Sequence, residues 1–266
     1  MGKVIFLLIF IFIVYGFGYQ NMIIQKYVLR SSKINTNIRL AVISDLHGTK
    51  YGNHQERLIK QIKNQNPDAI LLVGDLIDER CDMSGIEDLL KGIKTYSCFY
   101  VLGNHEISAD KVEEINALMK KYHIQRISSS KEVIHIQEND IALLGIDDFT
   151  FYSSKEEFQK QFHLLDQVVD ASQYSIMLSH RPYLIDLYKD SHFDLIVCGH
   201  AHGGQCRIPY ILNGLYAPDE YLFPKYAGGQ YDFEYAKMIV GRGLVRNIIP
   251  RFFNPPELVM IELKNN

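Results

Sequence analysis

Arg39-Leu40-Ala41-Val42-Ile43-Ser44 is an apolar run of strand length, and Asp45-Leu46-His47 follows it directly. Such a run, short and rich in branched aliphatics, reads as a buried strand. The pattern recurs along the chain. Ala69 to Val73 precedes Gly74-Asp75, and Cys98 to Leu102 precedes Gly103-Asn104-His105. Ser175 to Ser179 precedes His180, and Leu195 to Cys198 precedes Gly199-His200-Ala201-His202. Helical segments lie between these runs. Asn53 to Asn66 has helical spacing and stops at Pro67. Ser84 with Glu87 and Ser154 with Glu157 have capping-box spacing, ahead of helices to Lys94 and to about Val169. Further helices are expected from about Asp110 to Tyr122 and after Pro182. Val133 to Ile136 and Ile141 to Ile146 flank Glu138-Asn139-Asp140 as a hairpin. Strands alternating with helices, followed by late hairpins, predict an α/β domain with mixed sheets.

Each of the five strands therefore ends in residues that can bind metal, and open α/β sheets place their sites beyond strand C-terminal ends. Asp45 and His47 stand two apart, so in an extended segment a carboxylate and an imidazole would point the same way. His200 and His202 repeat that spacing. Gly74 permits a sharp turn that presents Asp75. A carboxylate there can bridge two cations. Asn104 adds an amide oxygen and His180 another imidazole. Mixed nitrogen and oxygen donors suit Mn, Fe, Zn, Co or Ni better than Ca or Mg alone. Any one of these histidines would be ordinary by itself; seven ligand-type residues in five motifs, each after an apolar strand, are not an accident. His54, His123, His135, His163 and His192 fall outside the pattern.

Composition sets the wider frame. With 47% hydrophobic and 22% charged residues, the 266-residue chain is globular rather than disordered. Its formal charge of -3 gives no basis for general electrostatic capture of nucleic acid, so a nucleic-acid partner is not expected. Cys81, Cys98, Cys198 and Cys206 form no zinc-ribbon or dense disulfide pattern and read as structural thiols. A Cys198–Cys206 bridge is allowed but not specified. Val4 to Gln25 carries no charge and as a helix would reach about 33 Å, enough to span a bilayer. Residues 1–25 are therefore expected to be a transmembrane anchor or a signal segment, residues 26–37 a polar linker, and residues 38–266 the globular domain that carries these motifs. Aromatic residues crowd residues 209–253 among glycines and prolines. Loop packing on the sheet is the expectation for them. A substrate wall, or a lip facing the membrane and a lipid-linked phosphate, is the alternative.

The ordered set Asp-x-His, Gly-Asp, Gly-Asn-His-Glu, His and Gly-His-x-His resembles the calcineurin-like metallophosphoesterase superfamily, over Arg39 to about Glu262. Gly199 to Gln205, with Arg251 and Pro255-Pro256-Glu257, is similar to its bacterial membrane-associated branch of predicted phosphohydrolases. The resemblance implies a four-layer α/β/β/α sandwich and a dinuclear site. Asp45, His47 and His202 would hold one metal, Asn104, His180 and His200 the other, and Asp75 would bridge. His105 would protonate the leaving group or stabilise the transition state, with Asp78 or Glu106 orienting it. Arg242 and Arg251, and beside them Arg181 and Arg207, are candidates to contact phosphate. The expected activity is hydrolysis of a phosphomonoester or phosphodiester, on a small or lipid-linked substrate near a membrane. A nuclease shares the metal chemistry, and a non-catalytic binding module on the same fold is a third reading that should have lost ligands; this chain keeps them all.

Overall fold

The computed structural model describes residues 2–18, 20–246 and 251–266. In chain order the elements are α1 (Gly2–Gly18), β1 (Ile23–Arg30), β2 (Ile38–Ile43), α2 (Glu56–Gln65), β3 (Ala69–Val73), α3 (Ser84–Ile93) and β4 (Ser97–Val101). Next come α4 (Asn104–Ser108), α5 (Val112–Lys121), β5 (Gln125–Arg126), β6 (Ser130–Ile136), β7 (Asn139–Ile146), α6 (Lys155–Gln167) and β8 (Tyr174–Ser179). The chain ends with α7 (Ile185–Tyr188), β9 (Leu195–Cys198), β10 (Tyr216–Ala217), β11 (Tyr221–Leu222), β12 (Gly229–Asp232), β13 (Lys237–Val240) and β14 (Glu257–Lys264).

Two six-stranded sheets result, ordered β1-β14-β2-β3-β4-β5 and β12-β13-β9-β8-β7-β6. Both are mixed: β2, β3, β4 and β5 run parallel, while β14 pairs antiparallel with β2. Strand alternation decides which side chains go where. Leu40 and Val42 of β2 pack between the sheets, against Leu143, Ile176 and Val197 of the other sheet. Ala41 and Ile43 face the opposite way, onto Leu58 and Ile62 of α2, Leu89 of α3 and Ile115 of α5. In the second sheet, Ala142 and Leu144 pack on Phe158 and Phe162 of α6. Helices thus cover both outer faces, and the layers are α/β/β/α. Burial on both faces explains why these strands are continuous apolar runs rather than alternating ones.

The N-terminal region differs from expectation. The apolar helix stops at Gly18, so α1 has 17 residues and spans about 26 Å. No helix among the described residues is long and apolar enough to cross a membrane, so the expected transmembrane helix is not found. Ile23 onward joins the first sheet instead, pairing parallel with β14 from Ile23↔Glu257 to Arg30↔Lys264. The expected linker at 26–37 therefore opens as an edge strand. Lys26 and Arg30 sit within that edge, where charged side chains discourage pairing with another chain. Only Gly16 of α1 is buried, under the Phe252 ring, which an added Cβ would overlap.

Two local readings also change. Ser84 does not cap α3; it sits inside the helix and its backbone N–H donates to Asp82. Ser154 does cap α6, accepting from the Glu157 N–H. The helix after Pro182 is only the four-residue α7. All four cysteines are free, so the Cys198–Cys206 bridge is not formed.

Candidate metal centre

The loops after β2, β3 and β4 of the first sheet and after β8 and β9 of the second converge at one end of the sandwich. Three groups of candidate ligands have their donor atoms within 4.8 Å of one another: Asp45, His47 and His202; His47, Asp75 and His105; and Asp75, His180 and His200. Asp75 belongs to two of them. Its Oδ2 lies 3.1 Å from His180 Nε2 and 3.7 Å from His47 Nε2.

The backbone that achieves this is not extended. Asp45, His47, Asp75, His200 and His202 all have positive φ, from 45° to 66°. Non-glycine residues there cost of order 1–3 kcal/mol each, and such residues cluster at functional sites. Tight turns after β2, β3 and β9, rather than two-residue alternation, aim these side chains inward. Two glycines make room. At Gly74 a Cβ would lie 2.5 Å from His180 Nδ1, and at Gly103 it would run into Asp75 Oδ1.

Each buried carboxylate divides its labour. Asp45 Oδ1 accepts the His200 N–H at 2.8 Å, and Asp75 Oδ1 accepts the His105 N–H at 2.9 Å. Their Oδ2 atoms make no hydrogen bond, nor do His47 Nδ1 and Nε2, Asn104 Oδ1, His180 Nε2, His200 Nδ1 or His202 Nδ1. Buried polar atoms are nearly always paired, and an unpaired one costs about 1–3 kcal/mol. A concentration of unpartnered nitrogen and oxygen atoms on seven neighbouring residues fits cations. The His180 ring is already set for this, because Nδ1 lies 2.9 Å from the Val73 carbonyl and Nε2 faces Asp75.

The charges are coupled. Burial opposes ionisation of Asp75, but the His180 ring outweighs it and holds the carboxyl well below the usual range. Burial works against a proton on His180 too, yet Asp75 raises that imidazole to about 10. His202 is held neutral by burial and by His47 beside it. A cation bound here would take the place of the His180 proton, since metal ligands must be deprotonated.

Glu106 plays a different part from the one expected. It is fully buried and accepts four backbone N–H groups: Asp75 (3.0 Å), Leu76 (2.6 Å), Ile77 (3.4 Å) and Gly103 (2.9 Å). It ties the loops after β3 and β4 together and does not touch the His105 ring. Burial, then the Asp75 charge, raises its carboxyl to about 7. Glu106→Ala leaves four buried donors without an acceptor and should destabilise the fold by more than about 3 kcal/mol, measured by chemical denaturation of the metal-free chain. An unchanged midpoint would show that water replaces the carboxylate.

A family model described as calcineurin-like phosphoesterase matches residues 38–204. The chain belongs to that family. Among its relatives, an uncharacterized metallophosphoesterase of Campylobacter jejuni, Cj0846, is 28% identical over 87% of this chain and 60% of its own length. The phosphodiesterase YaeI of Escherichia coli is 28% identical over 75% of this chain and 71% of its own. The chain thus spans about three-fifths of the first of these relatives. Among solved structures, NAD nucleotidase of Haemophilus influenzae matches with a TM-score of 0.51 at 16% identity, covering 78% of this chain and 51% of that one. TT1561 of Thermus thermophilus matches with 0.52 at 11% identity, over 78% and 90%. These likenesses show the calcineurin-like fold.

A cavity of about 200 Å³ opens beside this centre, lined by His47, Arg80, His105, His202, Gln205, Tyr216 and Pro218. The arginines that the sequence suggested do not line it. Arg242 is held by Glu257, its Nε 2.6 Å from Oε2. Arg251 is 1% exposed and donates to the Arg242 carbonyl at 2.8 Å. Arg181 is bound by Asp148 and Asp219, and Arg207 by Asn213. Arg80 is at the mouth instead, with its guanidinium 2.8 Å from Asp78. Asp78 faces His47 Nδ1 at 3.5 Å, and Glu79 is the carboxylate nearest His105, at 3.4 Å from Nδ1. Neither Arg80 nor Glu79 has a signal in the sequence, because no spacing rule connects them to the ligands. The aromatic segment divides. Tyr226 and Tyr231 pack with Phe233, while Tyr210, Tyr221 and Phe223 are exposed.

Proposed function

We propose that this chain is a dinuclear-metal-dependent hydrolase of phosphomonoesters or phosphodiesters. The cluster of buried, unpartnered donor atoms on Asp45, His47, Asp75, Asn104, His180, His200 and His202 carries that reading. Asp45, His47 and His202 would hold one divalent ion and Asn104, His180 and His200 the other, with Asp75 shared. Manganese, iron, zinc, cobalt or nickel suits this donor set. When bound, such a pair supplies Lewis-acid polarisation of phosphate and an acidified water. The chain's own contribution is positional. Asp45 and Asp75 fix the His200 and His105 backbones while presenting their second oxygens. His105, partly exposed at the mouth, is placed to act on the leaving oxygen of a bound ester. Arg80 places a cation beside the same opening.

A lipid-linked phosphate ester at a membrane is the substrate class we favour. Every side chain of α1 from Val4 to Tyr15 is exposed and apolar in kind, with no polar face. We read this helix as held in lipid, although it is shorter than a usual span. Tyr210, Ile211, Tyr221, Leu222 and Phe223 add a second exposed apolar surface, on the loop that also lends Tyr216 to the cavity. Tyrosine is favoured where lipid meets water.

The test is a full-length chain stripped of metal, reloaded with each candidate ion, and assayed on bis-p-nitrophenyl phosphate, p-nitrophenyl phosphate, nucleic acid and phospholipid. Activity should be absent after chelation and return with at least one ion. A chain that binds metal and cleaves none of these would not be an enzyme of this kind. Preference for nucleic acid would move the assignment to a nuclease.

A further inference from the structure

Two of the metal-ligand histidines have a ring nitrogen held by a neighbour outside the ligand set. For His180 the holder is the Val73 carbonyl, on the strand beneath it. For His200 it is Asp219, which stands 19 residues further on and outside every motif in the sequence. His200 Nε2 lies 3.0 Å from Asp219 Oδ2, while His200 Nδ1 is buried and makes no hydrogen bond. A neutral imidazole carries one N–H. With a carboxylate facing Nε2, the proton sits there and the lone pair is left on Nδ1. The ring shares its group with Asp75 and His180.

Asp219 is itself held. It lies in the turn Pro218-Asp219-Glu220 between β10 and β11, at a φ of 64°. Arg181 Nη1 donates to the same Oδ2 that faces His200. Arg181 is nearly buried and is fixed by Asp148, at 2.5 Å from Nε and 3.1 Å from Nη2, and by the Phe149 ring beneath it. Arg181 directly follows His180. The carboxylate therefore sits on an anchored guanidinium and reaches one ligand of the second metal. The hairpin that brings it there also carries the exposed Tyr221 and Leu222.

We propose that Asp219 is a positioning residue for the second metal: it fixes the tautomer and ring orientation of His200 and ties the β10–β11 hairpin to that half of the site. The assignment rests on the dinuclear reading above. Partners of this kind typically set 10–100-fold of metal affinity. If Asp219 served only to close the hairpin on Arg181, metal binding would be indifferent to it.

The deciding measurement is a calorimetric titration of the metal-free, full-length chain with manganese alone. The wild type should take up two equivalents. Asp219→Ala should weaken one of them by about 10–100-fold and leave the other unchanged. Asp219→Asn keeps an acceptor for the Nε2 proton and should recover most of the loss. Unchanged binding of both equivalents in Asp219→Ala overturns the assignment, as does equal weakening of both or an Asp219→Asn variant no better than Asp219→Ala. A wild type that binds only one equivalent overturns the dinuclear reading, and this assignment with it. Two equivalents in the wild type with no effect in Asp219→Ala overturns the role of Asp219 alone.

Discussion

Asp75→Asn is expected to abolish turnover and to empty at least one of the two metal positions. The substitution conserves volume, so the buried site has no cavity to collapse into. What it removes is a charge and an acceptor. Asp75 Oδ1 holds the His105 backbone, and Oδ2 faces His180 and His47 from the middle of the ligand cluster. An asparagine must turn its NH₂ toward one of these two places. If the NH₂ faces the histidines, it meets nitrogens that need to offer lone pairs to metal. If it faces the backbone, it opposes the His105 N–H, and the loop after β4 loses its anchor. Either way the negative charge at the centre of the ligand cluster is gone. Removing one preorganised electrostatic partner costs about 10²–10³-fold in turnover, and a bridging group should cost at least that. Metal analysis of the purified variant should give at most one ion per chain, where the wild type gives two. A variant that kept both ions and its activity would mean that Asp75 does not bridge.

Much of this site is legible in the sequence, for a physical reason. A strand buried on both faces must be apolar throughout, so a polar residue at its end is conspicuous. Asp45, Asp75, Asn104, His180 and His200 all stand just past such runs. The path of the backbone is not legible. Spacing of two suggests that Asp45 and His47 share a side of an extended segment, but both have positive φ, which neither residue type announces. The N-terminal expectation fails for a related reason. Met22-Ile23-Ile24 continues the apolar composition of α1, and hydropathy alone cannot separate a helix that runs on from a strand that begins. The parallel pairing of Ile23 with Glu257 decides it, and that partner lies at the far end of the chain.

The arginines teach the same lesson from the other side. Arg242 and Arg251 invite assignment to phosphate because phosphate sites use guanidinium groups. Arg242 is instead held by Glu257, which follows Pro255-Pro256, and Arg251 gives Nη1 to backbone carbonyls of the loop after β13 while its Nε and Nη2 make no hydrogen bond. Glu257 accepts twice from Arg242, through backbone N–H and Nε, and so fixes the loop that leads away from the second sheet. Pro255-Pro256-Glu257 thus ties β13 to β14 through Arg242. Groups that do face the opening, Arg80 and His105, come from loops of the first sheet.

His105→Ala carries the second large expected effect, and its size should depend on the leaving group. His105 differs from its neighbours in exposure: its ring lines the cavity, packs edge-on to His47 with centroids 4.7 Å apart, and has Glu79 at 3.4 Å from Nδ1. Its backbone N–H, which holds Asp75, survives the substitution. Metal content should therefore stay near the wild-type value while turnover falls by about 10²–10⁴-fold, the range for a general acid or base. A proton donor matters most when the departing oxygen is strongly basic. The loss should accordingly be large for an alkyl phosphate ester and much smaller for p-nitrophenyl phosphate, whose leaving group departs as a stable anion. Glu79→Gln removes the carboxylate beside Nδ1 without touching the ring and should lower turnover of the alkyl ester with little effect on the p-nitrophenyl ester. Equal losses on both esters in His105→Ala would assign the ring to charge stabilisation instead of proton transfer, because an electrostatic contact with the phosphoryl oxygens is felt whatever group departs.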